Sequence, residues 1–294
     1  MTISCEILFE KNSKAVFYAG RSLYGSIRLT LTNDENIRGI FVKINGAAIT
    51  ICKAENFGED FLKDRIEIIG ESRLATGAHE FPFQFEIPAR IPSSFQGEYG
   101  FIRYTITISV VLPKLSTKEF EKRIFILRLT DLKDPDLQKQ VTVSGSFNPY
   151  FVCTCLPWFP LKIDASVDHT AYAPGSNIEL EINVTNRSFC QIRGFLAQLI
   201  KEVTYVPVLQ SVEILKEVKL RGCLQNHKYT VCFGCYVEVP PTSATDLVSK
   251  VIKIRHFIRI TAVMKKKCRP VIEIPVTIVN VNGRNSKKSE LGRK

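Results

Sequence analysis

At 294 residues the chain is about twice the usual domain size, and a composition of 45% hydrophobic and 23% charged residues gives each half enough apolar side chains for a core, so disorder is not the default. A formal net charge of +11 invites nucleic acid or an anionic membrane as partner, yet no zinc-finger, RNP or helix-turn-helix pattern accompanies it, so nucleic acid is set aside. No run of about 18 apolar residues occurs, which excludes a membrane-spanning helix.

Residues 1–15, MTISCEILFEKNSKA, alternate apolar with charged residues and lack the apolar stretch of a signal peptide, so a cytosolic location is expected. In that reducing compartment the nine cysteines, scattered from Cys5 to Cys268, are expected to act as small core hydrophobes and not as disulfides. Asn183-Val-Thr185 and Asn186-Arg-Ser188 match the glycosylation pattern and, without secretion, are expected to stay unmodified.

Along the chain, period-two alternation dominates. Ile3, Cys5, Ile7 and Phe9 share one face, then Ile27, Leu29 and Leu31, and the pattern returns in Phe83, Phe85 and Ile87 and in Ile102, Tyr104, Ile106 and Ile108. In the second half Ile178, Leu180, Ile182 and Val184 repeat it. Turn signals separate these strands (Ala19-Gly20, Thr32-Asn33-Asp34, Pro174-Gly175), and no long helical pattern appears. Many strands without a βαβ rhythm predict an all-β chain of sandwiches.

An internal repeat divides the chain. Tyr18-Ala19-Gly20, Ile27-Arg28-Leu29, Thr32-Asn33 and Ile37-Arg38-Gly39 return in the same order as Tyr172-Ala173-Pro174-Gly175, Ile178-Glu179-Leu180, Thr185-Asn186 and Ile192-Arg193-Gly194. Phe85-Glu86-Ile87-Pro88 with Pro92-Ser93-Ser94 is echoed by Val237-Glu238-Val239-Pro240 with Pro241-Thr242-Ser243. Self-similarity at so long a period means a duplicated domain. Gly20 and Gly175 are expected to supply positive φ at the repeated turn, and Asn33 and Asn186 to close the strand through side-chain bonds. The expected organisation is two tandem immunoglobulin-like β-sandwiches at 1–148 and 161–282, a linker at 149–160, and a basic flexible tail at 283–294.

Constellations that could carry chemistry stay incomplete. Neither Gly20-Arg21-Ser22 nor Gly145-Ser146 completes a nucleophile turn, and His79, His169, His227 and His256 stand alone in sequence. Asp131, Asp134 and Asp136 lack the glycine and distal Glu of a calcium loop and read as a turn around Pro135. Cys153, Cys155, Cys232 and Cys235 offer four thiolates to zinc, but in a strand over 229–239 Cys232 and Cys235 would point to opposite faces unless Gly234 formed a bulge. Core packing is the expected role of these cysteines, and no metal or cofactor is expected.

The segment FPFQFEIPARIPSSFQGEYGFIRYTI, residues 81–106, resembles the most distinctive stretch of the arrestin family's amino-terminal domain, in the α-arrestin branch of arrestin-domain-containing and thioredoxin-interacting-protein-like chains. Asp131-Leu132 with Pro135, the linker around Cys153 and Cys155, Tyr172 to Gly175 with Asn186-Arg187-Ser188, and Ile274-Pro275 also fit, so the likeness covers about residues 5–280. The resemblance implies the arrestin N- and C-domain sandwiches and a non-enzymatic cytosolic adaptor in endocytosis, protein transport and ubiquitination. Such an adaptor joins receptor or transporter cytoplasmic tails to trafficking machinery at the plasma membrane or endosomes. Two departures follow. The sole Pro-Pro, Pro240-Pro241, continues Thr-Ser, so the Pro-Pro-x-Tyr motif that recruits WW-domain ubiquitin ligases is missing, and the stretch TSATDLVSKVIKIRHF lacks the cysteine through which thioredoxin is bound. Direct recruitment of such ligases and of thioredoxin is therefore not expected. Receptor-binding arrestins also use a clathrin-binding tail and a buried charged cluster that senses phosphates. No clathrin-type box occurs in residues 283–294, and the sequence alone does not reveal the cluster.

For acidic or phosphorylated partners, including anionic lipid, the candidate contacts are Arg103, Lys265, Lys266, Lys267 and Arg269, whose cationic groups suit phosphate oxygens. Two competing readings remain: a retromer-type coat subunit, which shares the two-sandwich arrangement, and a ligand- or sugar-binding sandwich or enzyme, which needs a deep pocket of convergent polar groups.

Overall fold

A computed structural model describes residues 3–9, 12, 14–52, 55–113, 116–147, 160–188, 190–224, 230–264 and 269–281. No α-helix occurs among them, and two compact units emerge. The first comprises Met1–Leu129 with two later segments, Thr204–Leu209 and Asp246–Lys253; the second comprises Thr130–Val203, Gln210–Thr245 and Ile254–Lys294.

The first unit opens with β1 (Ile3–Leu8), β2 (Val16–Tyr18), β3 (Ser22–Leu31), β4 (Glu35–Ile37), β5 (Gly39–Ile51) and β6 (Asn56–Ile69). It continues with β7 (Ser72–Leu74), β8 (Gly77–Glu86), β9 (Phe95–Gln96), β10 (Gly100–Val111) and β11 (Thr117–Leu127). One sheet has the order β1-β3-β8 and the other β2-β11-β10-β5-β6, with β9 added to β10 and a separate β4-β7 pair. Alternation in the sequence becomes alternation in burial: Ile102, Tyr104, Ile106 and Ile108 are sealed inside, while Phe101, Arg103, Thr105 and Thr107 face outward and are only partly covered. Each fully buried Ile or Leu contributes about 1.5–3 kcal/mol, so a slip of one residue would turn a whole strand inside out.

The second unit contains β12 (Val141–Phe147), β13 (Leu161–Val167), β14 (Ala171–Tyr172), β15 (Asn177–Asn186) and β16 (Ile192–Tyr205). After them come β17 (Leu209–Leu224), β18 (Val231–Glu238), β19 (Ile252–Met264) and β20 (Val271–Ile278). Its sheets run β12-β13-β15-β18 and β14-β20-β19-β16-β17. Ile178, Leu180, Ile182 and Val184 pack with Ile258, Ile260 and Ile274 in one apolar core.

The repeated turn has the same hydrogen bonds in both copies. Gly20 and Gly175 both take positive φ, +78° and +87°. Gly20 N–H donates to Ile87 C=O and Ile87 N–H to Arg21 C=O; Gly175 N–H donates to Val239 C=O and Val239 N–H to Ser176 C=O. The chain reaches this turn from a short strand that runs parallel to the last long one, β2 beside β11 and β14 beside β20. Asn186 closes its strand as expected, donating to Cys190 C=O and accepting from Ser188. Asn33 is a correction: it is exposed, and its neighbour Asp34 takes the bridging role by accepting from Thr76 N–H at 2.9 Å. The Asp34 carboxylate is the group that reaches across to β7's end, where Arg73 also donates to it, because its charge favours both donors over the neutral Asn33 amide.

Candidate interaction face around Arg103

Arg103 lies in the middle of β10 on the outward face of the first unit's large sheet, opposite Ala47 of β5. Its guanidinium stacks over the Phe101 ring at 4.0 Å, which holds the cation flat against the sheet. Register brings further cations beside it. Thr105 pairs with Arg123 on β11 and with Asn45 on β5, and Asn45 pairs with Lys63 on β6, so Arg123, Thr105, Asn45 and Lys63 form one row across four strands. In the next row Thr107 lies between Glu121 and Lys43, with Arg65 beyond. Arg65 stacks over Phe41 at 4.0 Å, and Phe125 stands 48% exposed. The ammonium or guanidinium group of none of Lys43, Lys63, Arg65, Arg103 or Arg123 lies within 4.0 Å of a described carboxylate. Cations that are stacked but not ion-paired keep their charge available to an anionic partner, and partial desolvation by the rings strengthens the attraction.

The rest of the predicted cationic set is divided. Arg269 is exposed just before β20 in the second unit, while Lys265, Lys266 and Lys267 lie outside the described residues. Lys43, Lys63, Arg65 and Arg123 escaped sequence reading because they are distant in the chain and meet only through strand register.

A polar clasp lies elsewhere in the same unit. The Pro92-Ser93-Ser94 segment is tied to β10 by the Tyr104 hydroxyl, which donates to Pro92 C=O at 2.7 Å. Ser94 Oγ accepts from Ile126 N–H at 2.9 Å and Ser93 Oγ from Arg128 N–H at 3.0 Å, fixing the segment to β11 and its exit. Asp246 completes it. Only 3% exposed, its carboxylate accepts from Ser93 N–H and Val248 N–H, both at 3.0 Å, with the Arg128 guanidinium at 3.9 Å. Burial pushes the Tyr104 phenol far up, and the Asp246 charge adds to this, so Tyr104 is a fixed donor. Chemically the clasp is a buried acid beside an arginine whose side chain is 31% exposed, so an incoming phosphate oxygen would compete with Asp246 for that guanidinium.

The candidate catalytic and metal groups are dispersed. Cys232 and Cys235 occupy opposite faces of β18: Cys232 is exposed and Cys235 turns toward the core. Pairing with β15 runs without a break through Gly234, so no bulge brings them together. Cys232 donates to Glu181 at 3.2 Å, and that carboxylate holds the thiol above its usual range; burial raises Cys235. Cys153, Cys155 and His227 lie outside the described residues. Among the described residues no three His, Cys, Asp or Glu side chains gather as metal ligands. Asp131 and Asp134 accept from the N–H groups of Lys133 and Asp136, each at 3.0 Å, the bonds of a turn. His79 meets Ala75 C=O, His169 sits beside Asp168, and His256 is buried on Thr245.

Comparison with known proteins fits this architecture. Residues 5–133 match the family described as arrestin (or S-antigen), N-terminal domain, and residues 160–282 match arrestin (or S-antigen), C-terminal domain. Arrestin domain-containing protein 1 of Homo sapiens is 24% identical over 287 residues, covering 93% of this chain and 64% of that protein. Arrestin domain-containing protein 4 of Mus musculus is 20% identical over 303 residues, 94% of this chain and 71% of that protein. Arrestin domain-containing protein 17 of Caenorhabditis elegans is 25% identical over 224 residues, 68% and 51% respectively. The chain thus spans less than two thirds of the first and third of these relatives.

Proposed function

Because the chain belongs to the arrestin family, in the branch of the arrestin domain-containing proteins, we propose that it is an adaptor in the trafficking of membrane proteins and that it holds acidic or phosphorylated cytoplasmic tails. Arrestin family proteins are generally non-enzymatic, and an adaptor needs a face, not a reaction centre. The observation that carries the reading is the group of ion-pair-free cations around Arg103 on the first unit, two of them, Arg65 and Arg103, stacked on phenylalanine rings. An extended tail laid along β10 would present alternate side chains about 6.8 Å apart, the spacing of successive rows on one face. Arg269 and the lysines before it are proposed to extend anion binding on the second unit, and recruitment to the plasma membrane or endosomes follows from the cargo.

Proximity labelling in cells tests this directly, comparing the wild-type chain with an Arg103→Glu, Arg123→Glu variant that retains its thermal unfolding. The wild type is expected to label membrane proteins and trafficking factors, and the variant to lose the membrane proteins at least fivefold. A wild-type set without membrane proteins, or one holding only the subunits of a constitutive coat, would sink the cargo reading.

A further inference from the structure

The outer face of the sheet β12-β13-β15-β18 in the second unit has the opposite charge to the chain as a whole. Its four strands contain a single cation, Lys162, against Asp164, Glu179, Glu181 and Glu238, in a protein of net charge +11. Pairing arranges Thr142, Ser166, Glu181 and Gly234 in one row, and Glu179 beside Tyr236 in the next, with Asp168 reaching Glu179 through its backbone. A depression of about 360 Å³ opens there, lined among others by Ser166, Asp168, Glu179, Glu181, Cys232 and Tyr236. Its floor is open at Gly234, where a Cβ would meet no atom within 4 Å.

Three further observations give the depression the features of a site. Ser166 is only 7% exposed, lines the depression, and its hydroxyl has no hydrogen-bond partner among the described residues. That hydroxyl is not sealed from solvent, so it is open to a ligand acceptor or donor that enters the depression. The Glu179 carboxylate is exposed and makes neither hydrogen bond nor ion pair with described residues, whereas Asp168 and Glu181 are held in place by Tyr172 and Cys232. Tyr236 stands 65% exposed at the rim, an aromatic face beside carboxylates.

We propose that this depression is a binding site for an arginine or lysine side chain carried on an extended basic segment of a partner protein. The cation enters between Glu179 and Glu181, lies against the Tyr236 ring, and meets the Ser166 hydroxyl at the base. A polypeptide is the fitting source because β18 ends its sheet among the described residues: its free edge offers backbone groups to an added strand, whose alternate side chains would fall on this face. The inference stands apart from the cargo reading, which concerns cationic side chains and not this acidic face.

The test uses the full chain and a fluorescein-labelled peptide of alternating Arg and Thr, followed by fluorescence anisotropy at low and moderate salt. Its neutral twin, with citrulline in place of arginine, is expected to bind at least tenfold more weakly. Glu179→Gln with Glu181→Gln is expected to weaken the arginine peptide at least tenfold, and Gly234→Phe, which fills the depression without changing charge, at least fivefold. A control pair on β11, Glu119→Gln with Glu121→Gln, alters net charge equally and should stay within twofold of wild type. Thermal melting of each variant separates loss of binding from loss of fold. The proposal fails if the control pair weakens binding as much, if citrulline binds as well as arginine, or if the wild type ignores the peptide at low salt. Self-association abolished by the same substitutions, with no peptide binding, would put a second copy of the chain in place of the peptide and overturn it too.

Discussion

At the level of single side chains, two buried polar groups carry the clearest consequences. Asp246 is an almost wholly buried acid whose charge is met by two backbone N–H groups and one arginine. Replacing it by Ala removes the acceptor of the Ser93 and Val248 N–H groups and the carboxylate beside Arg128, and the expected loss is about 2–3 kcal/mol. Urea unfolding should show this as a lower midpoint, with Asp246→Asn falling between Ala and wild type because one amide oxygen can still accept. His256 behaves differently. It is 3% exposed, and burial, reinforced by the Lys201 charge, depresses its pKa to about 4 from 6.5. The folded state therefore resists a proton that the unfolded chain accepts. Its contribution is whole above pH 6.5 and is lost as pH falls toward 4, up to about 3 kcal/mol. His256→Phe should flatten the dependence of unfolding free energy on pH over that window; an unchanged slope would remove His256 as its cause.

Between residues and the whole, strands act through their register. Gly46 of β5 faces Tyr104 of β10, and a methyl group there would enter the Tyr104 ring. The ring has no room to yield, since it is fully buried and anchored to Pro92. Gly46→Ala is thus expected to cost about 1–3 kcal/mol through overpacking, and most of that cost should vanish in a Tyr104→Ala background, a coupling measurable by a double-mutant cycle in guanidinium. Such pairs explain what sequence could and could not foretell. Ile102 to Ile108 and Ile178 to Val184 advertise buried faces because a half-buried strand imposes alternation on its own residues. Gly20 and Gly175 were legible for a similar local reason, a turn that needs positive φ. Arg103 was found through its family-like motif, but Lys43, Lys63 and Arg123 became its neighbours only through pairing of strands far apart in sequence. Even the parity signal, Lys43 between Val42 and Ile44, fixes which face a residue takes and not which residues share it. The shift between Gly46 and Ala47 shows why: β6 changes its pairing with β5 there, and no residue pattern announces the offset. The Asp246 clasp was hidden for the same reason, its partners lying at residues 93 and 128.

Taken as a whole, the molecule distributes charge unevenly: cations without ion pairs and carboxylates share the outer face of one unit's large sheet, while carboxylates dominate the outer face of the other unit's four-stranded sheet. Net charge still governs its colloidal behaviour. At +11 near neutrality, copies repel one another; near the pI of about 9.2 that repulsion is gone. Light scattering of a concentrated sample should therefore rise as buffer pH is taken from 7 to 9 and fall again on return, and a flat response would show that local patches, not overall charge, set solubility.

The clasp at Asp246 also sets a clock. A ribosome that has just completed β11 has made β1 to β11, and Ser93, Ser94 and Arg128 can meet as soon as Arg128 has been added and the segment has left the ribosome. The acid that answers Ser93 N–H is still about 120 residues from being synthesised, roughly 6–24 s away at 5–20 residues per second. For that interval the nascent first unit carries Arg128 without Asp246, and Glu59 without the Ser249 hydroxyl that later donates to it. The sandwich can close early, but it acquires its final polar seam only when the second half of the chain is largely made.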